Sequence, residues 1–248
     1  MYQWDSFRIA LYLRATERGD YPRVVLKKIL PLLHSSMSIL DIGSGPGAFS
    51  LALAPHVQRV YAMDTNKTVL EQLTEIALEK GLKNIHTLCG TWPQDPAPKV
   101  DVIISTHSGP RVTASKPSLK KIAETASDRV FLVVSAQQFR TSFGSEELYF
   151  RSGIKIPECA NHTVTLQLLE DLGIPCEKEH LTYDFGQPVV DLQEGENFLA
   201  AQLPSFSRTV LREHVRKIAV PQDDGLWLPN LRKSTLISFS AYNKRQGK

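Results

Sequence analysis

Short apolar runs alternate with amphipathic stretches over the first 135 residues of the chain. The first run, Ser38–Ile42, is followed by three closely spaced glycines and then by an apolar, helix-permissive stretch at residues 48–54. Residues 66–80 and 116–126 have apolar positions at helical spacing. The other runs that predict strands are residues 59–63, 84–89, 100–105 and 129–135. This alternation predicts βαβ units and a mostly parallel sheet.

Two helices are expected ahead of the first strand, within residues 2–33. Apolar residues recur there at helical spacing, and Gly19 with Asp20 interrupts the pattern. Pro22 then suits the first turn of the second helix, where its missing N–H is not needed. We expect residues 1–37 to form an N-terminal helical lid.

The pattern becomes less regular after Ser135. An insertion at residues 187–229, with helical pieces around 194–203 and 206–218, is expected to form a small helical cap before the last strand. The other predictions are a polar, irregular segment at 137–157, a helix at 159–172, and strands at 177–184 and 234–242. The whole chain, residues 1–248, is therefore predicted to be one α/β domain.

Composition limits the class of function without naming one. The chain has 248 residues, of which 42% are hydrophobic and 22% charged, as in ordinary globular proteins. A net charge of +3 without a clustered basic face argues against a nucleic-acid partner. Three cysteines without C-x-x-C spacing suit a reducing cytosol and predict no metal site. Because no signal-peptide pattern or membrane-length apolar run is present, we expect a cytoplasmic protein without a membrane partner.

The three glycines after the first strand predict a ligand-binding loop. Gly43, Gly45 and Gly47 lie between a strand and a helix, where glycine tolerates positive φ angles and lets a ligand approach the backbone. Dinucleotide-binding loops have G-x-G-x-x-G spacing, whereas the spacing here is G-x-G-x-G. Asp41, two residues ahead of the first glycine, would repel a diphosphate and suits a ligand that carries a cation.

These residues resemble those of a known family. Residues 38–54 are similar to the first motif of class I S-adenosylmethionine-dependent methyltransferases, hxDxGxGxG, and Asp64 matches the family's acid after the second strand. Residues 89–92 and 101–105 correspond to its adenine contacts and fourth-strand motif. The resemblance covers residues 39–135 and implies a Rossmann-like, doubly wound, mostly parallel seven-stranded sheet. It also implies S-adenosyl-L-methionine as the cofactor.

Carried over to this sequence, the resemblance implies a cofactor-binding core at residues 38–135. The glycine loop would border the methionine part of the cofactor, and Asp41 would order that end. Asp64 would accept hydrogen bonds from both ribose hydroxyls, and Thr65 would flank the adenine, opposite residues 90–92. The implied contacts are Asp41, Gly43, Ser44, Gly45, Gly47, Asp64, Thr65, Gly90, Thr91, Trp92 and Ser105.

Some of these contacts have plainer alternatives. Asp41 could cap the loop without touching a ligand, and Asp64 could cap the next helix. Trp92, which precedes a proline, could be an aromatic residue that packs at the surface. The family often has an acid or amide near Cys89 and Gly90, and this sequence has none there.

The acceptor is less clearly indicated than the cofactor, because methyl transfer depends mainly on alignment and on excluding water. Residues 105–110 lack the [DN]PP[YF] box of nucleobase and glutamine N-methyltransferases, which leaves a small molecule by elimination. His107 is the candidate catalytic base, because it titrates near neutrality and should emerge near the transferred methyl. Arg111 and Tyr183 are candidate substrate contacts, and the aromatic residues Tyr2, Trp4 and Tyr12 could line the lid.

Three other functions stay open on the sequence alone. The chain could be a non-catalytic S-adenosylmethionine-binding accessory protein, an NAD(P)-dependent oxidoreductase or an RNA methyltransferase. The sequence does not predict the oligomeric state.

Overall fold

The computed structural model of the protein describes residues 4–139 and 141–241. The strands in these residues are β1 (Ser38–Ile42), β2 (Arg59–Asp64), β3 (Ile85–Cys89), β4 (Val100–Thr106), β5 (Ala126–Ser135), β6 (Glu177–Asp184), β7 (Gln187–Val189), β8 (Val220–Gln222), β9 (Gly225–Leu228) and β10 (Leu231–Ser240). Seven of them form one sheet in the order β3-β2-β1-β4-β5-β10-β6. The pairs among β1 to β5 are parallel, and β10 runs antiparallel to both β5 and β6. The Rossmann-like, mostly parallel seven-stranded sheet is therefore confirmed.

Helices cover both faces of this sheet. They are α1 (Ser6–Arg18), α2 (Arg23–Ile29), α3 (Ala48–Leu53), α4 (Lys67–Glu79), α5 (Pro110–Thr113), α6 (Lys116–Thr125), α7 (Glu146–Ser152), α8 (His162–Asp171), α9 (Leu192–Gln202) and α10 (Arg208–Ile218). Successive side chains of a strand point to opposite faces. Leu40 and Ile42 accordingly share a core with residues of α6 and α8, while Ile39 packs with residues of α2 and α3. The apolar runs predicted as buried strands thus form the centre of a three-layer fold.

The helix after the second strand has the predicted capping residues. The side chain of Asn66 accepts a hydrogen bond from Val69 N at 3.3 Å, as an N-cap does. Gly81 follows the last turn with a φ angle of +70°. This helix starts directly after β2, so its first turn lies at the carboxyl edge of the sheet.

The insertion at residues 187–229 contains strands in addition to the helices that the sequence predicts. Both predicted helices are present as α9 and α10, but β7, β9 and β8 add a three-stranded antiparallel sheet. The strands have only three or four residues, too few for a periodic pattern. Asp223 and Asp224 form the turn between β8 and β9, and Gly225 begins β9. The dipeptide Asp224-Gly225 is a hairpin signal from which these two strands could have been predicted.

Two further predictions in the second half of the chain need correction. Residues 137–157, predicted as irregular, contain the helix α7, whose seven residues are too few to show a clear period. The helix predicted from residue 159 begins later, at His162, because Asn161 caps it by accepting from Thr163 N at 3.0 Å. The predicted last strand extends to residue 242, which lies outside the described residues; the observed strand ends at Ser240.

The N-terminal helix α1 contacts the insertion through ion pairs and a hydrogen bond. Arg14 forms an ion pair with Glu194 of α9 at 2.6 Å, and Arg18 pairs with Asp224. The side-chain amide of Gln187 donates to the Leu11 carbonyl at 3.0 Å. The lid and the cap therefore form one structure at the carboxyl edge of the sheet. Within the described residues, we find no helix with the length and apolarity that a bilayer crossing requires.

Candidate active site at the carboxyl edge of the sheet

The glycine loop between β1 and α3 has the backbone conformation that its sequence predicts. Gly43, Gly45 and Gly47 have φ angles of +74°, +52° and +93°, which side chains other than hydrogen disfavour. A Cβ atom on Gly43 would come within 2.5 Å of the Ser108 Cβ, and one on Gly47 would overlap the side chain of Leu73. The loop is therefore shaped both by its own φ angles and by close packing against two neighbouring segments.

Asp64, at the end of β2, faces this loop. Its Oδ2 accepts a hydrogen bond from Gly45 N at 3.0 Å, and its Oδ1 accepts one from Asn66 N at 2.9 Å. The carboxylate thus joins the glycine loop to the start of α4. Since an ionised carboxylate has about four acceptor positions, two protein donors leave capacity for the hydroxyl groups of a ligand. The capping interaction and the predicted ribose contact are compatible.

Asp41 is buried beneath the loop segment, where only 1% of its surface is exposed. Its Oδ2 accepts a hydrogen bond from the Ser50 hydroxyl of α3 at 2.7 Å. Burial raises the pKa of Asp41 to about 7; the hydrogen bond from Ser50 opposes this shift, and the negative charge of Asp64 adds to it. A nearby cation would stabilise the ionised form of Asp41, which burial and Asp64 disfavour. The residue therefore suits the ammonium end of a ligand.

The segment after β3 forms the side of the site where the adenine contacts are predicted. Thr65 is exposed, and Gly90 and Thr91 are partly exposed. Asp95 lies against this segment, because its Oδ2 accepts from Thr91 N at 2.7 Å. Asp95 is thus an acid close to Gly90 that the sequence did not predict there. The signal was the turn Trp92-Pro93-Gln94-Asp95, which folds an acid four residues downstream back onto the backbone.

The side chain of Trp92 belongs to the hydrophobic core instead of the surface of the site. It is buried with only 4% exposed, and its indole N–H donates to the Ser118 hydroxyl at 2.9 Å. The ammonium of Lys121 lies 4.6 Å from the centre of its ring. Of Trp92, the backbone is therefore the part that could contact a ligand. The alternative that Trp92 packs at the surface is wrong, because its ring is in the interior.

Ser105 connects β4 to the glycine loop. Its hydroxyl donates to the Ile42 carbonyl at 2.9 Å and is hydrogen-bonded to the Ser108 hydroxyl. Ser105 itself is fully buried. Its side chain therefore fixes the relative position of two loops that border the site.

His107 and Tyr183, which the sequence predicted as separate candidates, are in direct contact. The Nε2 atom of His107 lies 2.6 Å from the Tyr183 hydroxyl, which is 2.8 Å from the Ser234 hydroxyl. His107 directly follows the end of β4 and is exposed to solvent. Desolvation and the positive charge of Arg232 lower the pKa of His107, so its ring is neutral near pH 7.

Tyr183 is kept in its phenol form by its surroundings. Burial raises the pKa of its hydroxyl to about 12, against a smaller lowering by the Ser234 hydroxyl. With a neutral imidazole and a neutral phenol, their hydrogen bond can have either partner as donor, depending on the imidazole tautomer. His107, Tyr183 and Ser234 therefore form one hydrogen-bonded chain that leads from the site into the interior.

Arg111 is not part of this cluster. It lies on the short helix α5, is exposed, and makes no ion pair with a residue in the described part of the chain. Its predicted role in holding a substrate stays a prediction.

Aromatic residues of the N-terminal segment cover the site. The ring of Tyr21 stacks on Tyr183 with centroids 5.3 Å apart and lies 5.6 Å from His107. The ring of Trp4 packs over the glycine loop, 3.6 Å from the position of a Cβ on Gly45, and contacts Tyr12 edge-on. Trp4 and Tyr12 thus lie on the predicted lid, while Tyr2 is outside the described residues.

The sheet order and its flanking helices are those of a methyltransferase-type domain, and comparison with known proteins gives the same result. A family model described as a methyltransferase domain matches residues 33–182, more than half of the chain. The chain belongs to this family of S-adenosylmethionine-dependent methyltransferases.

Its relatives by sequence are matched over part of their length. An uncharacterized protein of Haemophilus influenzae is 31% identical over 159 residues, which are 62% of this chain and 58% of that protein. The uncharacterized methyltransferase YcgJ of Bacillus subtilis is 30% identical over 99 residues, 39% of each chain. The chain therefore aligns with less than two thirds of each of these relatives.

Solved structures are similar over most of the fold. The structure of YcgJ has a TM-score of 0.57 at 16% identity and covers 89% of this chain and 99% of that one. Magnesium protoporphyrin IX methyltransferase of Synechocystis PCC 6803, solved with bound S-adenosylhomocysteine, has a TM-score of 0.53 at 13% identity. It covers 95% of this chain and 88% of its own. These likenesses show the fold.

Proposed function

We propose that this protein binds S-adenosyl-L-methionine and transfers its methyl group to a small-molecule acceptor. The observation that carries the proposal is the Asp64 carboxylate held 3.0 Å from the backbone nitrogen of Gly45, in a loop with three glycines at positive φ. This arrangement puts a charged acceptor and an uncovered backbone side by side. Such a pair suits a ligand that carries a diol next to an amino-acid chain.

The residues present fit this cofactor along its whole length. Asp41, buried and short of positive charge, suits the ammonium of the methionyl part beside the Gly43–Gly47 backbone and Ser44. Asp64 has free acceptor capacity for the ribose hydroxyls. Thr65, Gly90, Thr91 and the backbone of Trp92 would border the adenine, and Ser105 would fix the adjoining loop. When bound, the cofactor supplies a methyl group on a positively charged sulfur, which departs as a thioether when the acceptor's lone pair takes the methyl carbon.

The chain's own contribution to the reaction is to orient the acceptor and to exclude water. Alignment of this kind can contribute roughly 7–11 kcal/mol to the lowering of a barrier. Trp4 packs over the glycine loop and Tyr21 stacks on Tyr183, so these two aromatic rings would restrict the access of bulk water to the reacting atoms. Because its pKa is lowered, the neutral imidazole of His107 is a weak base, and it would accept a proton from the acceptor only once methyl transfer has made that proton strongly acidic.

A small acceptor is favoured over a macromolecule because the site lies behind the lid and the cap. Arg111, exposed at the rim, would be a peripheral substrate contact. A cytoplasmic location is part of this proposal, since three cysteines without disulfide spacing suit a reducing compartment.

The proposal is tested by calorimetric titration of the full chain with S-adenosylmethionine, S-adenosylhomocysteine and, separately, reduced nicotinamide dinucleotide. We expect saturable binding of the first two and none of the third. Binding of the nicotinamide dinucleotide alone would revive the oxidoreductase alternative. Binding of neither methyl-donor form would end the proposal. Cofactor binding without methyl transfer to any acceptor would favour the accessory-protein alternative.

A further inference from the structure

A cavity of about 250 Å³ lies between α1, the insertion and the start of β10. It opens at the carboxyl edge of the sheet, because β6 ends and β10 begins there. Trp4 lines this cavity and also packs over Gly45 of the glycine loop. The cavity is thus adjacent to the proposed cofactor site and separated from it by one aromatic side chain. Its volume is near the lower end of small-molecule sites.

The walls of the cavity are mainly aromatic. The rings of Tyr12 and Phe185 lie 5.8 Å apart, edge to face, along one side. Phe143 and Phe198, with ring centres 5.0 Å apart, form the opposite part of the wall. Flat apolar groups pack well against such rings. The body of an occupant is therefore expected to be apolar and flat.

The charge of the cavity is positive. Two arginines, Arg8 and Arg232, are among its lining residues, and no aspartate or glutamate is among those that the structure describes. The charge of Arg8 is compensated by Asp5, whose Oδ2 lies 3.8 Å from the Arg8 Nε. The lining amides of Gln187 and Asn230 are engaged in the structure: Gln187 donates to the Leu11 carbonyl, and Asn230 bridges Phe143 N and the Phe185 carbonyl. Arg232 is thus the group that gives the cavity its positive character.

Arg232 is the stronger of the two anchors. It is half-buried, and its guanidinium makes no hydrogen bond or ion pair with a residue in 4–139 or 141–241. A partly buried charge without a partner is unfavourable, and an anion that enters the cavity would compensate it. Guanidinium groups also match carboxylates in geometry, with two parallel hydrogen bonds.

Arg232 also connects the cavity to the His107–Tyr183 pair. On β10 it is the register partner of Tyr183, so the two residues share one face of adjacent strands. Its positive charge contributes to the lowered pKa of His107. An anion held by Arg232 would therefore lie beside the proposed base.

We propose that the methyl acceptor is a carboxylate-bearing molecule with a flat, apolar body, whose carboxylate pairs with Arg232 in this cavity. This rests on the proposed function, since it names the substrate class of the same site. The carboxylate is the anchor in this arrangement, so the methylated atom belongs to another part of the molecule.

The test uses pairs of small probes that differ only in charge: benzoate and benzamide, phenylacetate and phenylacetamide, and indole-3-acetate and indole-3-acetamide. Their binding to the full chain is measured by calorimetry or by ligand-observed NMR, without cofactor and at constant ionic strength. We expect at least one acid to bind 10-fold or more tightly than its amide. The variant Arg232→Gln should abolish this preference.

The matched control is Lys233→Gln, which removes one positive charge from the next position of the same strand. Lys233 is exposed and points to the opposite face of β10, so its variant should keep the preference for acids. Melting temperatures verify that both variants fold. Equal binding of acids and amides, or a preference that survives Arg232→Gln, overturns the proposal.

A failure of this inference can be distinguished from a failure of the proposed function. S-Adenosylhomocysteine binding is measured separately on the same three proteins, and Arg232→Gln should retain it. Loss of acid preference with retained cofactor binding supports the anchor. Failure of the wild-type protein to bind S-adenosylhomocysteine contradicts the methyltransferase proposal. An acid preference that depends on Arg232 would then still show an anion-binding cavity, but not one for a methyl acceptor.

Discussion

The imidazole Nε2 of His107 lies 2.6 Å from the hydroxyl oxygen of Tyr183, although 76 positions separate them in the sequence. The contact forms because β4 and β6 both end at the carboxyl edge of the sheet, on either side of β5 and β10. Ser234 on β10 extends the contact by a further hydrogen bond of 2.8 Å to Tyr183. A base, a phenol and a hydroxyl are therefore linked across three strands.

The first prediction concerns the protonation of His107. Because desolvation and Arg232 both lower its pKa, the ring should stay neutral well below the ordinary His value of about 6.5. Removing the positive charge in Arg232→Gln favours the imidazolium, so the pKa should rise. NMR titration of the imidazole signals checks both statements. An unshifted titration near 6.5 in the wild-type protein, or no upward change in Arg232→Gln, would contradict them.

The second prediction concerns Asp41 and the dependence of stability on pH. An acid whose pKa is about 7 when folded holds its proton between pH 4 and pH 7, while the unfolded chain releases it. The free energy of unfolding should therefore fall as the pH rises through this interval. Asp41→Asn removes that contribution, so its stability relative to wild type should increase by up to about 1.4 kcal/mol per pH unit.

Urea denaturation of both proteins at pH 5 and pH 7.5 measures this difference. The Asn side chain can still bond to the Ser50 hydroxyl, so the comparison isolates the charge. A stability difference that is the same at both pH values would mean that Asp41 is ionised throughout.

The third prediction concerns the glycine loop. Gly47→Ala should be strongly destabilising, because the new Cβ would overlap Leu73 and would be held at a φ angle of +93°. Gly81→Ala is the matched control: its φ angle is +70°, but no atom lies within 4 Å of the new Cβ. We expect about 1–2 kcal/mol of loss for Gly81→Ala from backbone strain alone, and a larger loss for Gly47→Ala. Equal losses in chemical denaturation would show that contact with Leu73 does not constrain the loop.

The fourth prediction concerns the affinity for the cofactor. Asp64→Ala should weaken the binding of S-adenosylhomocysteine by about 1–3 kcal/mol, the scale of hydrogen bonds to a charged group. Asp64→Asn, which keeps one acceptor oxygen, should lose less. The control is Asp128→Ala. Asp128 is an exposed acid near the start of β5, at the opposite edge of the sheet. Calorimetry measures all three, and an affinity of Asp64→Ala equal to that of the control would remove Asp64 from the site.

The sequence predicts most of the central sheet and the glycine loop for a physical reason. Buried strands such as β1 are continuous apolar runs, and a glycine loop must contain glycine wherever φ is positive, as at Gly43 and Gly47. Both signals are local, so a single sequence carries them. The position of Asp64 is equally local, since it is the last residue of β2.

The parts that could not be predicted depend on contacts between distant segments. Nothing near His107 in the sequence indicates Tyr183 as its partner, because their contact follows from the order of strands in the sheet. The interior position of Trp92, in the turn after β3, goes with its hydrogen bond to Ser118 on α6. The cavity beside Arg232 requires the lid and the insertion to be packed together, which the ion pair between Arg14 and Glu194 achieves.

A crystal structure of the full chain with S-adenosylhomocysteine tests the central claim most directly. We expect the ribose hydroxyls within hydrogen-bonding distance of the Asp64 carboxylate and the methionyl part along the backbone of residues 43–47. The ligand's sulfur should face the side of the site that carries His107. A ligand bound elsewhere on the chain, or bound here without contact between its ribose and Asp64, would contradict the account.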